Sequence, residues 1–350
     1  MTCPKFATLK EACQYVDIEE PHKTSGTGFI RTRGLDTNKK NCNGAVKFFP
    51  GGNGGYVVNN HKGEGDPTRE AVFYYDLNAP QTPLSARERK ALIKANQEAM
   101  RAENEARRLR AMAIAEVARK LSGLAYHRKD WIHPYLIRKG IQAAPGANFR
   151  LLDSEQVQDL IDKLPPALFE GEEKQRCPRY SPLLFVPLYD EKSNTPKNAQ
   201  LITTTGLKTF LKGAPIKGLL WLPEDCIESN LSEVGLCEGI ATAISARRLL
   251  GYPCAAGLSA NCLPAAAEHL RHRYPNARIH VLADRDENKA GENGGMSAIR
   301  KLIELNANNP NADITVCPEV SQEELKAFRK KVGNNESNVT DFNDIELLYN

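Results

Sequence analysis

The sequence predicts an α/β protein: a parallel sheet with flanking helices in its C-terminal half, an adjoining mixed α+β basic region, and a small β-rich module at the N-terminus. Three observations carry this expectation. Between Val234 and Cys317, short apolar runs alternate with helical patterns across short connections, as right-handed β-α-β crossovers require. Between Pro83 and Leu124 almost no helix breaker interrupts a run of Ala, Glu, Arg and Lys. Residues 1–80 are instead rich in Gly, Asn, Lys and aromatics.

Taken in order, GAVKFFPGGNGGYVVNNHKGEG reads as two short strands about a Gly-Asn turn, with a further strand at AVFYYDL. In this module, residues 1–80, Lys47, Phe48, Phe49, Tyr56 and His61 can stack on bases and meet phosphates, or its aromatics can simply form its core. Residues 81–130 form a long charged helix of about 38 residues, roughly 57 Å in length, with Ser85 as N-cap and Glu88 as its capping-box partner. Its apolar stripe strengthens after Leu109, so the first half is expected in solvent, as a spacer or a basic rail. In residues 131–230, WIHPYLIRKGI is a short helix opened by proline and closed by Gly140, and LLFVPLYD and NAQLITTT are hairpin strands. Lys208, Lys212 and Lys217 follow at close spacing.

Residues 231–320 hold the alternating unit. Val234–Cys237 is a strand ending at Glu238-Gly239, Ile240–Leu250 a helix stopped by Gly251, and Pro253–Ala256 a second strand. Pro264 opens a second helix. Arg278–Ala283 is the third strand, Gly295–Asn306 a third helix and Ala312–Cys317 the fourth strand. The tail, residues 321–350, carries the acidic motif TDFND.

Composition narrows the class. The chain has 350 residues, 41% hydrophobic, enough to bury a sizeable core in two or three domains. Lys plus Arg exceed Asp plus Glu by 47 to 43, a net charge of +4 that says little about a polyanionic partner. Nine cysteines lie scattered without a C-x-x-C pair, which argues against a zinc ribbon or a disulfide framework and for a reducing compartment. No zinc is expected. No signal-peptide core and no 18-residue apolar span is present, so the expectation is a soluble cytoplasmic protein without a membrane partner.

The carboxylates carry the chemistry. In a parallel sheet every strand delivers its carboxyl end to one edge, where open α/β folds bind ligands. Glu238 ends the first strand, and Asp284 and Asp286, two apart, face one side beyond the third. Crowded acids repel unless a cation compensates. A hard divalent ion does so through oxygen ligands, leaving Glu238 to serve as general acid or base. Acids at strand ends can also be mere decoration.

Glu238-Gly239 after a short strand and Asp284-Arg285-Asp286 after the third resemble the Toprim domain. The order of HPYLIRKGI, LLFVPLYD, GLKTFLKGAPIKG, CEGIATAISA, LADRDENKAGENGG and VTDFNDI resembles the Toprim primases of phages and plasmids. This resemblance implies Mg²⁺ (or Mn²⁺) on Asp284 and Asp286, with Glu238 as the acid of the first motif. It also implies that Asp341 and Asp344 are further metal-facing acids, and that Lys208 and Lys217 meet template or nucleotide phosphates. The implied function is primer synthesis on single-stranded DNA from nucleoside triphosphates, for phage or plasmid replication. A separate replicative helicase is the implied partner, since no G-x-x-x-x-G-K-[ST] loop is present. A metal-dependent Toprim nuclease and a non-catalytic DNA-binding replisome subunit are the alternatives. The sequence departs from the pattern in two places: Thr242 stands where many primases read Glu-Gly-x-x-Asp, and the cysteines of the usual N-terminal zinc ribbon are absent.

Overall fold

The computed structural model describes residues 3–22, 29–36, 41–49, 54–63, 66–75, 86–128, 131–141, 150–169, 177–178, 182–223, 226–227, 230–285 and 312–349. The expected helix Gly295–Asn306, the cap residue Ser85 and Asp286 lie outside them. The chain divides into two compact units, 1–105 and 106–350.

The first unit is a five-stranded sheet with one helix on it. Strands β1 (Lys5–Phe6), β2 (Ile30–Thr32), β3 (Gly44–Phe48), β4 (Gly54–Asn59) and β5 (Glu70–Tyr74) lie in the order β1-β5-β4-β3-β2. Helix α1 (Leu9–Tyr15) starts at a capping box between Thr8 and Glu11. Its Leu9, Ala12 and Cys13, with Val16, close over Val46, Phe48, Val57, Ala71 and Phe73. Alternation along the strands explains the choice of face, since residues two apart share a side. Phe48 is thus a core residue, edge-on to Phe73 at 5.9 Å. Lys47 points the other way, 5.5 Å over the Phe29 ring, and Tyr56 donates to Glu70. His61 pairs with Asp36 at 2.6 Å.

Helix α2 (Ala86–Leu124) begins in the first unit and ends in the second. Ile114, Val117, Ala118 and Leu121 recur at helical spacing and are all buried.

The second unit joins two sheets. Strands β6 (Arg150–Leu152), β7 (Leu183–Leu188), β8 (Asn198–Ile202) and β9 (Lys208–Phe210) form an antiparallel sheet in sequence order. Its residues alternate between two cores. Leu183, Phe185, Ala199 and Leu201 face α2 and helix α4 (Ser154–Asp162). Leu184, Val186, Leu188 and Ile202 face the other way, into a core shared with the second sheet.

That second sheet is parallel throughout. Strands β10 (Glu233–Cys237), β11 (Cys254–Ala256), β12 (Arg278–Ala283) and β13 (Ala312–Val316) lie in the order β11-β10-β12-β13. Val234, Leu236, Ala255, Ile279 and Val281 pack on helix α6 (Leu263–Arg273). Cys237, Cys254, Ala256 and Leu282 turn to helix α5 (Ile240–Leu250) and into the shared core. The apolar runs are near-continuous because a parallel sheet is covered on both faces. Helix α3 (Pro134–Arg138), helix α7 (Gln322–Val332) and the C-terminal helix α8 (Phe342–Tyr349) complete the shared core through Tyr135, Leu136, Phe328, Phe342 and Ile345. All nine cysteines are free thiols, and Cys237, Cys254 and Cys317 are buried as expected. Among the described residues, no helix is long and apolar enough to cross a membrane.

Gly235 lies where β10 meets both neighbours. A Cβ there would come within 2.4 Å of Cys254 Sγ and 3.3 Å of Leu282 Cδ1. Gly235→Ala is therefore expected to cost about 1–3 kcal/mol by overpacking, read as a lower urea midpoint. An unchanged midpoint would show that the β10–β11 contact yields freely.

Candidate active site

Parallel pairing sets the geometry. Cys237 is level with Leu282 across the β10–β12 ladder, so Glu238 and Asp284 leave adjacent strands within one residue of the same height. Adjacent strands are about 4.8 Å apart. Both side chains are half-buried. Glu238 also stands at the start of α5, whose N-cap is Gly239, so the partial positive charge of the helix end offsets part of its negative charge.

The C-terminal helix brings further acids to this edge. Asp341 caps α8, accepting from the Asp344 backbone N–H at 2.9 Å. Asp344 reaches back to accept from the Thr340 backbone N–H at 3.0 Å and from its hydroxyl at 3.1 Å. Both acids therefore have a local capping role. The Arg285 backbone N–H donates to Thr340 O at 2.7 Å, which ties this helix start to the end of β12. Thr242, in the first turn of α5, donates to Asp341 Oδ2 at 3.0 Å. The position that departs from the Glu-Gly-x-x-Asp pattern thus holds an acid instead of supplying one.

Crowding shows in the proton affinities. Burial, then the neighbouring Asp341, pushes the Asp344 carboxyl above its usual range. Burial raises Cys317 to about 12, with Asp341, Asp284 and Asp344 adding to it. Three acids from two separate segments thus act on one thiol. They form a common field.

The antiparallel sheet supplies the opposite charge. Lys208 opens β9 beside the edge. Burial of its ammonium and the neighbouring Lys139 pull its pKa down, while Glu238, Asp341 and Asp284 hold it up. The side chain as a whole stays exposed, so it is the amine end that lies among other groups, 5.4 Å over the Tyr135 ring. Trp221 bridges Ala256 antiparallel, and Lys217, exposed, precedes Gly218, which lies against His269 of α6. Lys212 is exposed on the segment between. Sequence reasoning passed over Tyr135 and Lys139. The HPYLIRKGI segment was the signal, but its contact with β9 depends on packing between elements far apart in the chain.

The acids at the edge offer carboxylate oxygens, which fit a hard ion such as Mg²⁺, usually held by one or two carboxylates plus waters. Among the described residues, no group of three or more His, Cys, Asp or Glu side chains is close enough to hold an ion together. Asp286, the second half of the Asp-x-Asp pair, is not among them.

Four parallel strands with acids at one carboxyl edge and a C-terminal helix returning to it agree with a family comparison. Residues 233–347 match the Toprim domain family. The Toprim match takes in β10 through most of α8, including Glu238, Asp284, Asp286, Asp341 and Asp344. Similar solved structures include the DnaG primase catalytic domain bound to ssDNA, at 10% identity over 61% of this chain and 75% of that one, with a TM-score of 0.43. Others are the E. coli primase catalytic core, at 13% identity over 62% and 70%, TM-score 0.35, and the primase fragment of the bacteriophage T7 primase-helicase, at 13% identity over 39% and 54%, TM-score 0.31. The chain thus spans about half the length of the T7 fragment.

Proposed function

We propose that this chain is a Mg²⁺-dependent primase-type nucleotidyltransferase that joins nucleoside triphosphates into short primers on single-stranded DNA. The observation that carries the reading is the Lys208 ammonium, which stands in the combined field of Glu238, Asp341 and Asp284 although it comes from a different sheet. A cation over an acidic Toprim edge suits a phosphate ester held between the two. Nuclease chemistry needs the acids alike. The single lysine of β9 beside them suits a phosphate held against the edge.

In this reading Asp284 and Asp286 hold the ion, with Asp341 and Asp344 behind them. The 3′-hydroxyl would attack the α-phosphate of the incoming nucleoside triphosphate, breaking its bond to the β-phosphate and releasing pyrophosphate, while an ion held there would neutralise charge on the transferring group. Glu238 takes or returns the proton at that hydroxyl, from a position beside the helix end. Lys208, Lys212 and Lys217 neutralise phosphates of nucleotide or template. Thr242 keeps Asp341 turned to the edge. The phage or plasmid setting and a separate replicative helicase belong to the same proposal.

The test is primer synthesis on a single-stranded template with Mg²⁺ or Mn²⁺. Extension that requires nucleoside triphosphates and fails in Glu238→Ala is the expected result. Template cleavage without any nucleotide would move the assignment to a Toprim nuclease. Template binding that ignores both Mg²⁺ and the acid substitutions, without turnover, would leave a DNA-binding subunit.

A further inference from the structure

Lys208 stands among three carboxylates and pairs with none of them. Glu238, Asp341 and Asp284 all act on its ammonium, yet among the described residues it makes no hydrogen bond or ion pair. A lysine ammonium is a compact charge on a flexible four-carbon stem. Left to itself in such a field it would close onto the nearest acid, and the charge of both would be lost to a ligand. What meets it instead is the face of Tyr135, 5.4 Å from ammonium to ring centroid. That ring is held from several directions. Tyr135 is 4% exposed. Its backbone N–H donates to His133 Nδ1 at 3.3 Å, so the His133 proton lies on Nε2, which donates to Pro182 O at 3.2 Å and pins the start of α3. In the β8–β9 turn, Thr203 O accepts from the Gly206 N–H at 2.9 Å, and Thr203 Oγ1 from the Leu207 N–H at 3.0 Å. Gly206 sits at φ +94, and a Cβ there would come within 3.8 Å of Tyr135 Cδ2 and 3.1 Å of Arg138 Nη2. The turn is thus drawn in against α3 two residues before Lys208. Burial, then Asp341, pushes the Tyr135 phenol up to about 12, so near neutral pH the ring is uncharged and offers the ammonium its electron-rich face. The hydroxyl is buried without a hydrogen-bond partner among the described residues, so packing orients the ring.

We propose that Tyr135 is a positioning residue: its ring seats the Lys208 ammonium off the carboxylates, leaving the N–H donors for a phosphate brought to the edge. A cation–π contact occupies the ammonium without neutralising it. An ion pair with Glu238 or Asp341 would instead remove one charge from each side of the site. The seat thus keeps the acids for a cation and the amine for an anion. That the anion belongs to a nucleoside triphosphate rests on the primase reading, whereas the seating of the ammonium does not.

Reductive methylation of the full chain with ¹³C-formaldehyde labels each lysine amine and keeps its positive charge, and Lys208→Arg assigns the Lys208 resonance. The wild-type signal should lie upfield of those of the exposed Lys212 and Lys217, displaced by the ring current of Tyr135. Tyr135→Phe keeps the face and should hold the shift. Tyr135→Leu should return the signal to the position of an exposed lysine. Pentafluorophenylalanine at position 135 retains the buried shape but inverts the field of the ring. It should release the ammonium as leucine does, which separates loss of the seat from loss of the fold. In priming, Tyr135→Leu and Lys208→Ala should each raise the triphosphate KM about tenfold, the scale of a desolvated cation–π contact, with kcat changed less. The double substitution should be no worse than Lys208→Ala alone, and Tyr135→Phe should recover the wild-type KM. A Lys208 signal unshifted in the wild type, or unmoved by Tyr135→Leu, would overturn the proposal. So would a Tyr135→Phe variant as damaged as Tyr135→Leu, which would assign the role to the hydroxyl. Resonances that move as expected in a chain that makes no primer would uphold the seat and remove the primase reading alone.

Discussion

Asp284→Ala is expected to lower primer synthesis by about three orders of magnitude, the scale on which a reaction loses charge stabilisation at its centre. The fold should survive the change. Asp284 is half-buried beyond the last residue of β12 and outside the hydrophobic clusters, so alanine opens no cavity in them. It also thins a crowded acidic field: Cys317 already binds its proton more tightly because of Asp284, Asp341 and Asp344, after burial itself. The apparent melting temperature without metal should therefore hold or rise slightly. A second readout separates metal loss from misfolding. In the wild type, Mg²⁺ at about ten times its dissociation constant should add about 1.4 kcal/mol of stability, or roughly 3–6 °C for a unit of this size. Asp284→Ala should abolish that gain. Priming within about tenfold of wild type, with the Mg²⁺ stabilisation intact, would dissociate Asp284 from the reaction.

Glu346→Ala should be the most damaging single change to stability outside the sheets. Glu346 is only 5% exposed, and it accepts from Ser245 Oγ at 2.5 Å and from Arg248 Nη1 at 3.1 Å, both on α5. Asn343, one turn earlier on α8, donates to Ser245 Oγ at 3.0 Å and to Lys139 O at 2.7 Å. With Thr242 and Asp341, these contacts form a polar seam along the whole face that α5 and α8 share. Truncation removes the acceptor of the Ser245 hydroxyl and one carboxylate partner of Arg248. Arg248 keeps a quarter of its side-chain surface in solvent, so the cost falls short of a fully buried pair, at about 2–3 kcal/mol. Melting should drop by roughly 5–10 °C. Priming should fall more than stability alone explains, because α8 carries Asp341 and Asp344. Glu346→Gln keeps an acceptor for Ser245 and should recover about half of the loss. A melting temperature unchanged in Glu346→Ala would mean that the apolar contacts of Phe342 and Ile345 hold α8 alone.

The strand and helix series from β10 to β12 was legible because its signals are local. Gly251 ends α5 in the left-handed conformation at φ 83, and Pro264 opens α6 in its first turn. The apolar runs are short and bounded. Glu238 and Asp284 could be assigned to one edge because parallel pairing leaves no other arrangement for two strands joined by right-handed crossovers. The stripe on α2 was equally readable, since Ile114, Val117, Ala118 and Leu121 repeat at three and four residues. The aromatics of the N-terminal module were harder to read. Composition could not say that Phe48 lies under α1 while Lys47 faces away, because both outcomes fit the same strand and register alone chooses between them.

What the sequence determined by itself was the set of local elements, the parallel sheet and the strand ends on which its acids lie, since each depends on neighbours within a few turns of chain. Tertiary structure decided what faces those acids. Lys208 comes to the edge because Ile202 and Leu188 of one sheet share a core with Leu282 and Cys237 of the other. Thr242 holds Asp341 across a sequence separation of 99 residues. Such contacts follow from the packing of complete surfaces, and no window of sequence contains both sides of them.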